Sequence, residues 1–597
     1  MTFGDHYPKA GRIGKANLIG AFVALGIGGF FGLIQALHRT DVFRGFVSSV
    51  QYYDVLTGHG VLLALVFTTF FITGLYQWGV TRTMEREPES SAFSWTWFAM
   101  MGVGTTMTAT AILGGLVPGS GLSAAVLYTF YPPLQAHPLF YIGAALLVVG
   151  SWLAGADWFW TYRKWRADNP DARIPLQTYM VIFTWLMWYL CSLGLALEVV
   201  VLLIPWSLGF VEKIDPLLPR TLFWYFGHAV VYFWLLPAYF VWYSILPKLS
   251  GGRLFSDPLA RVVFIFFLLL STPIGYHHQY ADPGITLVYK MWALIMTLVI
   301  LLPSLMTAFT VISSMEHGAR QRGGSGYFAW MGALPWGQPA FVGCALAGIM
   351  FAAGGFSGMI NASLNIDMLV HNTAWIPGHF HLTVGTAVAL TFMAITYWLL
   401  PQLTGKALKF KNLALAQPYT WFIGMTLMSN ALHRQGLAGV PRRVAEPQYA
   451  GIDYEVPFGT MAEMDWQVAI GGTILFVSMV LFLVVIGGTW WSGAPATDVD
   501  DVIPPALSGP EHSPKILDNL NLWMGVAVAL VLHAYTLPLG EQVRDGTFHP
   551  RAFAAPMYTP LAARTLGRGA PGLAGARCGA HRPTAAPVPT RTRPLLD

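Results

Sequence analysis

Apolar stretches of about 20 residues or more recur along nearly the whole chain, separated by short polar segments. About 13 of them centre near residues 26, 68, 106, 149, 190, 233, 270, 300, 347, 388, 424, 478 and 531. Each is long enough to cross a bilayer as a helix, at 1.5 Å of rise per residue. The pattern predicts an all-α, polytopic membrane helix bundle of about 13 transmembrane helices over residues 1–541. The last stretch, 542–597, is rich in Arg, Pro, Ala and Gly and has no hydrophobic period, so it is expected to be a disordered basic tail with no assigned function. The first 20 residues lack the short apolar core and small-residue cleavage site of a signal peptide, so the first apolar stretch is expected to remain as a helix.

Composition strengthens this picture. Of 597 residues, 55% are hydrophobic and 11% charged, where a soluble protein carries about a quarter charged residues. Cys191, Cys344 and Cys578 lie far apart, which leaves no disulfide framework and no paired-cysteine metal site to be read from spacing. Lys and Arg are concentrated in the N-terminal tail and in alternate loops near 81–92, 163–174, 248–261, 318–323 and 405–411, whereas the loops near 118–137 and 361–373 have none. By the positive-inside rule the N-terminus is expected on the cytoplasmic side; membrane lipid is expected around the bundle, and no role in binding nucleic acid.

That orientation gives six histidines a shared depth. His59, His228, His379 and His381 fall early in stretches that enter from outside, and His277 and His278 fall near the end of one that exits there. All six are expected in the outer third of the bilayer. An imidazole in an apolar layer needs a compensating partner, and six gathered in one layer point to metals. His379 and His381 are two apart, about 200° around a helix, so one helix could serve two cofactors side by side; two structural histidines fit the same spacing. His277 and His278 are adjacent near the end of an expected regular helix, about 100° apart, so both can reach one metal, and with His228 they offer three nitrogens for a copper-like site. His59, between Gly58 and Gly60, offers with His381 the two axial imidazoles of a haem, and the glycines are expected to leave room for a flat macrocycle.

Other polar residues fall into sets. Tyr232 lies one turn after His228 and can supply a proton and an electron there; a packing tyrosine is the competing explanation. Tyr239 and Tyr243 continue its face, and Ser304, Thr307 and Thr310 recur every three residues two stretches later. They make either a proton route or a helix contact through small hydroxyls. Arg442 and Arg443 follow the eleventh stretch at the outer side, as paired arginines suit carboxylates. Glu198 is an intramembrane acid without an evident partner.

The motifs TGHG, WYFGHAVVYFWLLPAY, STPIGYHHQYADPG, SLMTAFT, VHNTAWIPGHFHL and VPRR, in this order, resemble the catalytic subunit of haem–copper oxidases over about residues 16–540, closest to the B-type branch. The resemblance implies that His59 and His381 ligate a low-spin haem b, that His379 is the ligand of a high-spin a-type haem, and that His228, His277 and His278 hold copper. It further implies that Tyr232 is cross-linked to His228 and that Tyr239, Tyr243, Ser304, Thr307 and Thr310 form a proton channel, with Ser256 near its mouth. Arg442 and Arg443 would meet haem propionates, with Asp367 and His371 beside them on the proton exit. Val230 stands where the A-type branch carries a glutamate, and Ala229 where relatives often have Pro.

The implied activity is reduction of O2 to water, coupled to proton uptake and pumping. Electrons would come from cytochrome c or a similar donor through a subunit II carrying a dicopper centre, since the chain has neither that motif nor Cys-x-x-Cys-His; a quinol donor stays open. The alternatives are a nitric oxide reductase-like haem enzyme and a cofactor-free, proton-coupled transporter. Tyr232 argues against the first, and the common depth of the histidines against the second.

Overall fold

The structure is a computed structural model and describes residues 2–446, 451–496 and 501–545. Helices stand at all thirteen predicted positions: α1 (Pro8–His38), α2 (Ser49–Met84), α3 (Ser91–Gly115), α4 (Pro138–Asp168), α5 (Leu176–Ser207), α6 (Leu217–Leu249), α7 (Asp257–Leu270), α8 (Leu287–Gln321), α9 (Pro339–Ala362), α10 (Trp375–Thr404), α11 (Lys411–Leu437), α12 (Met461–Ser492) and α13 (Leu520–Asp545). Among the described residues there is no strand, only three isolated bridges. Eleven of the helices are long and apolar enough to cross a membrane. The exceptions are α7, only 14 residues long, and α11, which mixes Gln417, Asn430, Arg434 and Gln435 among its apolar residues. The last described helix runs to Asp545; the predicted tail beyond it lies outside the described residues.

With lipid outside the bundle, helices associate through close packing and internal hydrogen bonds rather than through water exclusion. Helices α3 and α4 meet where Gly104 faces the Gly143 carbonyl; a Cβ at Gly104 would lie 2.5 Å from that oxygen. The helices nearest the centre, α2, α6 and α10, bury most of their apolar windows, whereas α3, α8 and α13 bury little and form the rim.

Three helices carry a π-helical turn: Val61–Phe67 in α2, Glu198–Leu203 in α5 and Thr383–Val388 in α10. Such turns widen a helix locally and are frequent at functional sites. Two of them follow closely after His59 and His381.

On the face where Lys and Arg are concentrated, the segment before α13 runs as a strap. Leu507 N–H donates to Leu254 O (2.7 Å), Ser508 N–H to Phe255 O (3.1 Å) and Asp257 N–H to Ser508 O (3.0 Å). Arg82 pairs with Asp501 at 2.7 Å, and Arg173 and Arg261 pair with Asp518 at 2.7 and 2.8 Å. Arg261 is buried and also holds Asp257. Losing one partner of such a buried pair costs on the order of 3–5 kcal/mol, because the other charge is left uncompensated. Several of the loop cations that set the predicted orientation are thus structural ties as well.

Candidate haem and metal centre

Helix α6 loosens at His228, where its regular hydrogen bonding is interrupted. The stretch after α7 does not continue through His277 and His278 as the regular helix that the apolar pattern predicts. It unwinds at Ser271 and re-forms as a short 3-10 helix, Gly275–Gln279. Gly275 is required by close approach: a Cβ there would lie 2.1 Å from Trp224 O on α6. This contact brings both histidines against α6. One nitrogen from each of His228, His277 and His278 lies within 4.8 Å of the others. His228 Nδ1 and His278 Nε2 are 3.2 Å apart, close to the ~3.3 Å between two nitrogens held tetrahedrally at about 2.0–2.1 Å from a metal. The Nδ1 of His277 bonds Thr297 Oγ1 at 3.0 Å, so its Nε2 is the nitrogen left for a ligand role. The His278 ring is stacked on Trp224 at 3.9 Å and 10°. His228 Nε2 is buried with no hydrogen-bond partner, and the Tyr232 ring stands 4.8 Å from the His228 ring. This donor set fits a copper-class ion.

The other three histidines share one arrangement. His59 Nδ1 donates to Gly28 O (2.9 Å), His381 Nδ1 to Pro377 O (2.7 Å), and His379 Nδ1 lies 3.0 Å from both Gly354 O and Ser357 Oγ. Fixing Nδ1 to a backbone carbonyl sets the tautomer and leaves Nε2 as the donor atom, the usual preparation of a metal-ligating imidazole. All three rings are only partly buried, so open space adjoins each. His59 and His381 lie 15° from parallel with centroids 6.2 Å apart, and His379, two residues from His381, turns to α9 instead. The glycines beside His59 do not provide the room expected of them: side chains at Gly58 and Gly60 would meet Phe31 and Tyr128. The close approach to the His59 ring is made by Gly32 on α1, where a Cβ would lie 2.8 Å from it. Sequence offers no signal for that contact, nor for Thr297, Ser357 or Trp224 as supports of the rings.

Loop 440–443 is bound to the segment before α10. Ala374 N–H donates to Val440 O (2.8 Å) and Arg442 N–H to Asn372 O (3.0 Å). Arg442 also bonds Asn372 Oδ1 and Arg443 bonds Thr129 Oγ1. Neither arginine pairs with a carboxylate among the described residues. Burial, and then the charge of Arg443 beside it, push the Arg442 guanidinium down to about 9. Two adjacent, half-buried cations that pair with no carboxylate among the described residues form a receptor for an anion, which fits haem propionates. Asp367, on the short helix Leu364–Val370, pairs with His371 at 2.6 Å. Burial raises its carboxyl, and the bond to His371 pulls it back.

The hydroxyl residues form rungs between α6 and α8: Tyr239 O–H donates to Ser304 Oγ (3.2 Å) and Tyr243 O–H to Thr307 Oγ1 (2.8 Å). Thr307 and Thr310 donate in turn to Pro303 O and Met306 O. Between Tyr232 and Tyr239 the Phe267 ring contacts both, at 5.1 and 5.6 Å. Ser256 caps α7 through Leu259 N–H and bonds none of these residues. Glu198 opens the π turn of α5 with both carboxylate oxygens buried and unpartnered among the described residues, and joins neither cluster.

Residues 12–474 match the family model described as cytochrome c and quinol oxidase polypeptide I. The chain is 44% identical over 535 residues to cytochrome c oxidase subunit 1 of Thermus thermophilus, covering 87% of this chain and 92% of that one. It is 26% identical to cytochrome c oxidase polypeptide 1 of Halobacterium salinarum, over 80% and 77% of the two chains. A solved heme–copper terminal oxidase dimer superposes with a TM-score of 0.82 at 35% identity, covering 93% of this chain and 96% of that one. Proteins of this family carry haem and copper, and the three-histidine group fits the metal. The chain belongs to the cytochrome c and quinol oxidase polypeptide I family: it is subunit I of a haem–copper terminal oxidase, a multi-pass membrane oxidoreductase.

Proposed function

We propose that the chain is the catalytic subunit of a B-type oxidase that reduces O2 to water, with a low-spin haem b, a high-spin a-type haem and one copper ion. The observation that carries this reading is the three-histidine group on α6 and the 3-10 helix, next to a helix whose two histidines face different ways. His59 and His381 would hold the first haem, His379 the second, and His228, His277 and His278 the copper. When bound, these groups supply the electron transfer and dioxygen chemistry. The chain's own residues prepare and feed them. Gly28, Pro377 and Gly354 carbonyls fix the haem ligands' tautomers, Thr297 fixes His277, and Trp224 holds the His278 plane. Arg442 and Arg443 would neutralise propionates. Tyr232 would give a proton and an electron from its phenol; its ring beside the unpartnered His228 Nε2 supports a covalent bond between them.

Protons would rise along Ser304, Thr307 and Thr310 with Tyr239 and Tyr243, from an inner face on the same side as the N-terminus, and leave past Asp367 and His371. Val230 beside the copper group supports the B-type branch, since no acid ends a second channel there. The chain would receive electrons from a subunit II with a dicopper centre fed by cytochrome c or a similar protein, in a prokaryotic plasma membrane. A dithionite-reduced spectrum of the purified complex, before and after carbon monoxide and with copper quantified, tests this. Two haems, one of them binding carbon monoxide, plus one copper are expected. Non-haem iron in place of copper would point to nitric oxide reduction instead.

A further inference from the structure

The stripe of hydroxyls on α8 does not stop at Thr310. Ser314 and His317 follow at intervals of four and three, on the same helix face. Ser314 is fully buried; its Oγ donates to Thr310 O (2.6 Å) and accepts from Phe255 N–H (2.9 Å). His317 is partly buried, and its Nδ1 lies 3.3 Å from Arg253 N–H, which donates to it. Both bonds come from the same loop, 250–256, which packs tightly on α8: a Cβ at Gly252 would lie 2.6 Å from Gly318 N. The strap holds that loop in turn, through Leu254, Phe255 and Asp257.

The charged side chains around His317 are engaged elsewhere. Arg253 donates to Pro505 O and Ala506 O, Arg322 to Ser250 O, Lys248 to Val502 O, and Glu316 pairs with Arg320. Asp257 pairs with Arg261. This leaves an imidazole, a side chain that can both take and give a proton, at the inner-face end of a row of hydroxyls that leads into the bundle.

We infer that Ser314 and His317 extend the proton track, with His317 as the group that collects protons from water at its mouth. The inference rests on the reading that the α6–α8 hydroxyls conduct protons. With Nδ1 accepting from Arg253, the neutral ring carries its hydrogen on Nε2. A proton taken from water at Nδ1 cancels the long Arg253 bond and frees the ring to turn. Transfer of one N–H proton inward, through water to the Ser314 end of the stripe, returns the neutral ring and restores the bond. No redox change accompanies the step.

The test uses the complete oxidase, with haem and copper content checked in every variant, and follows proton uptake with a pH-indicating dye. Thr307→Val and His317→Gln are compared with the parent. His317→Gln is expected to slow uptake roughly tenfold or more, since a positioned acid–base group contributes on the order of 10²–10⁴ and bulk water replaces part of it. Added imidazole should restore uptake in His317→Gln and leave Thr307→Val slow. Parental uptake in His317→Gln with slow uptake in Thr307→Val would overturn the role of His317 and leave the track standing. Slow uptake that imidazole does not rescue would also overturn it, reducing His317 to a tie for loop 250–256. Parental uptake in Thr307→Val would remove the track itself, and the inference with it.

Discussion

The histidine layer and the α6–α8 hydroxyl rungs are both buried polar clusters, yet their hydrogen bonds are arranged oppositely. In the histidine layer each of His59, His277, His379 and His381 has one nitrogen fixed by a carbonyl or hydroxyl, while the other makes no hydrogen bond among the described residues. In the rungs, Tyr239, Tyr243, Thr307 and Thr310 all donate within the protein. The one group whose nitrogens converge is His228, His277 and His278, within 4.8 Å of one another; a buried nitrogen left unpaired costs about 1–3 kcal/mol, so such a group is suited to a ligand that takes their lone pairs. The first cluster fits a metal, which would take those lone pairs. The second is complete as it stands, and a proton crosses it only when its bonds are exchanged.

The largest effect that breaks this contrast is removal of a converging ligand. His228→Ala should abolish oxygen reduction, to below about 1% of the parent, because even supports behind a ligand are worth 10–100-fold. Elemental analysis should show copper lost while both haems stay. His381→Ala tests the other half of the layer. It leaves His59 with nothing opposite it, so the haem count by pyridine haemochrome should fall from two to one. Retention of two haems would mean that the near-parallel rings at 6.2 Å are a packing pair.

A smaller effect sharpens the comparison by touching only the support. Thr297 accepts from His277 Nδ1–H and donates to Ala293 O. Thr297→Val keeps the volume and removes both bonds, so copper affinity should fall about tenfold, at the lower end of the range for such supports. Competitive chelation on the purified complex measures it.

What sequence conveyed followed the same division. The thirteen helices and the six histidines were legible because apolar length and a polar residue within it are local signals. Three things were not. The Gly58–His59–Gly60 run pointed to room for a macrocycle, but the space beside a helix is set by whatever packs there, here Phe31 and Tyr128, and the glycine facing the His59 ring is Gly32, one helix earlier. The His277–His278 spacing predicts a regular helix, whereas the pair lies on a 3-10 turn packed through Gly275 against Trp224, which no local propensity announces. The π turns after His59 and Leu382 are likewise products of packing. The hydroxyl stripe stayed ambiguous between conduction and packing because its residues do pack: each threonine bonds the carbonyl a turn before it.

That ambiguity sets the smallest predictions, within the complete cluster. Thr307→Val leaves the Tyr243 hydroxyl, fully buried, without its acceptor at 2.8 Å; the variant should lose about 1–3 kcal/mol of stability and take up protons more slowly. Ser304→Ala removes only the longer bond from Tyr239, at 3.2 Å, on a part-buried serine that water can reach. A stability loss of about 0.5–1.5 kcal/mol is expected there, read as a shift in thermal unfolding of the complex, with a slowing of proton uptake below that of Thr307→Val. If the two variants lose stability in this order but keep parental uptake, the rungs are packing alone. If uptake falls more than stability would explain, and falls further in Thr307→Val, the same bonds that hold α6 to α8 are the ones a proton must exchange.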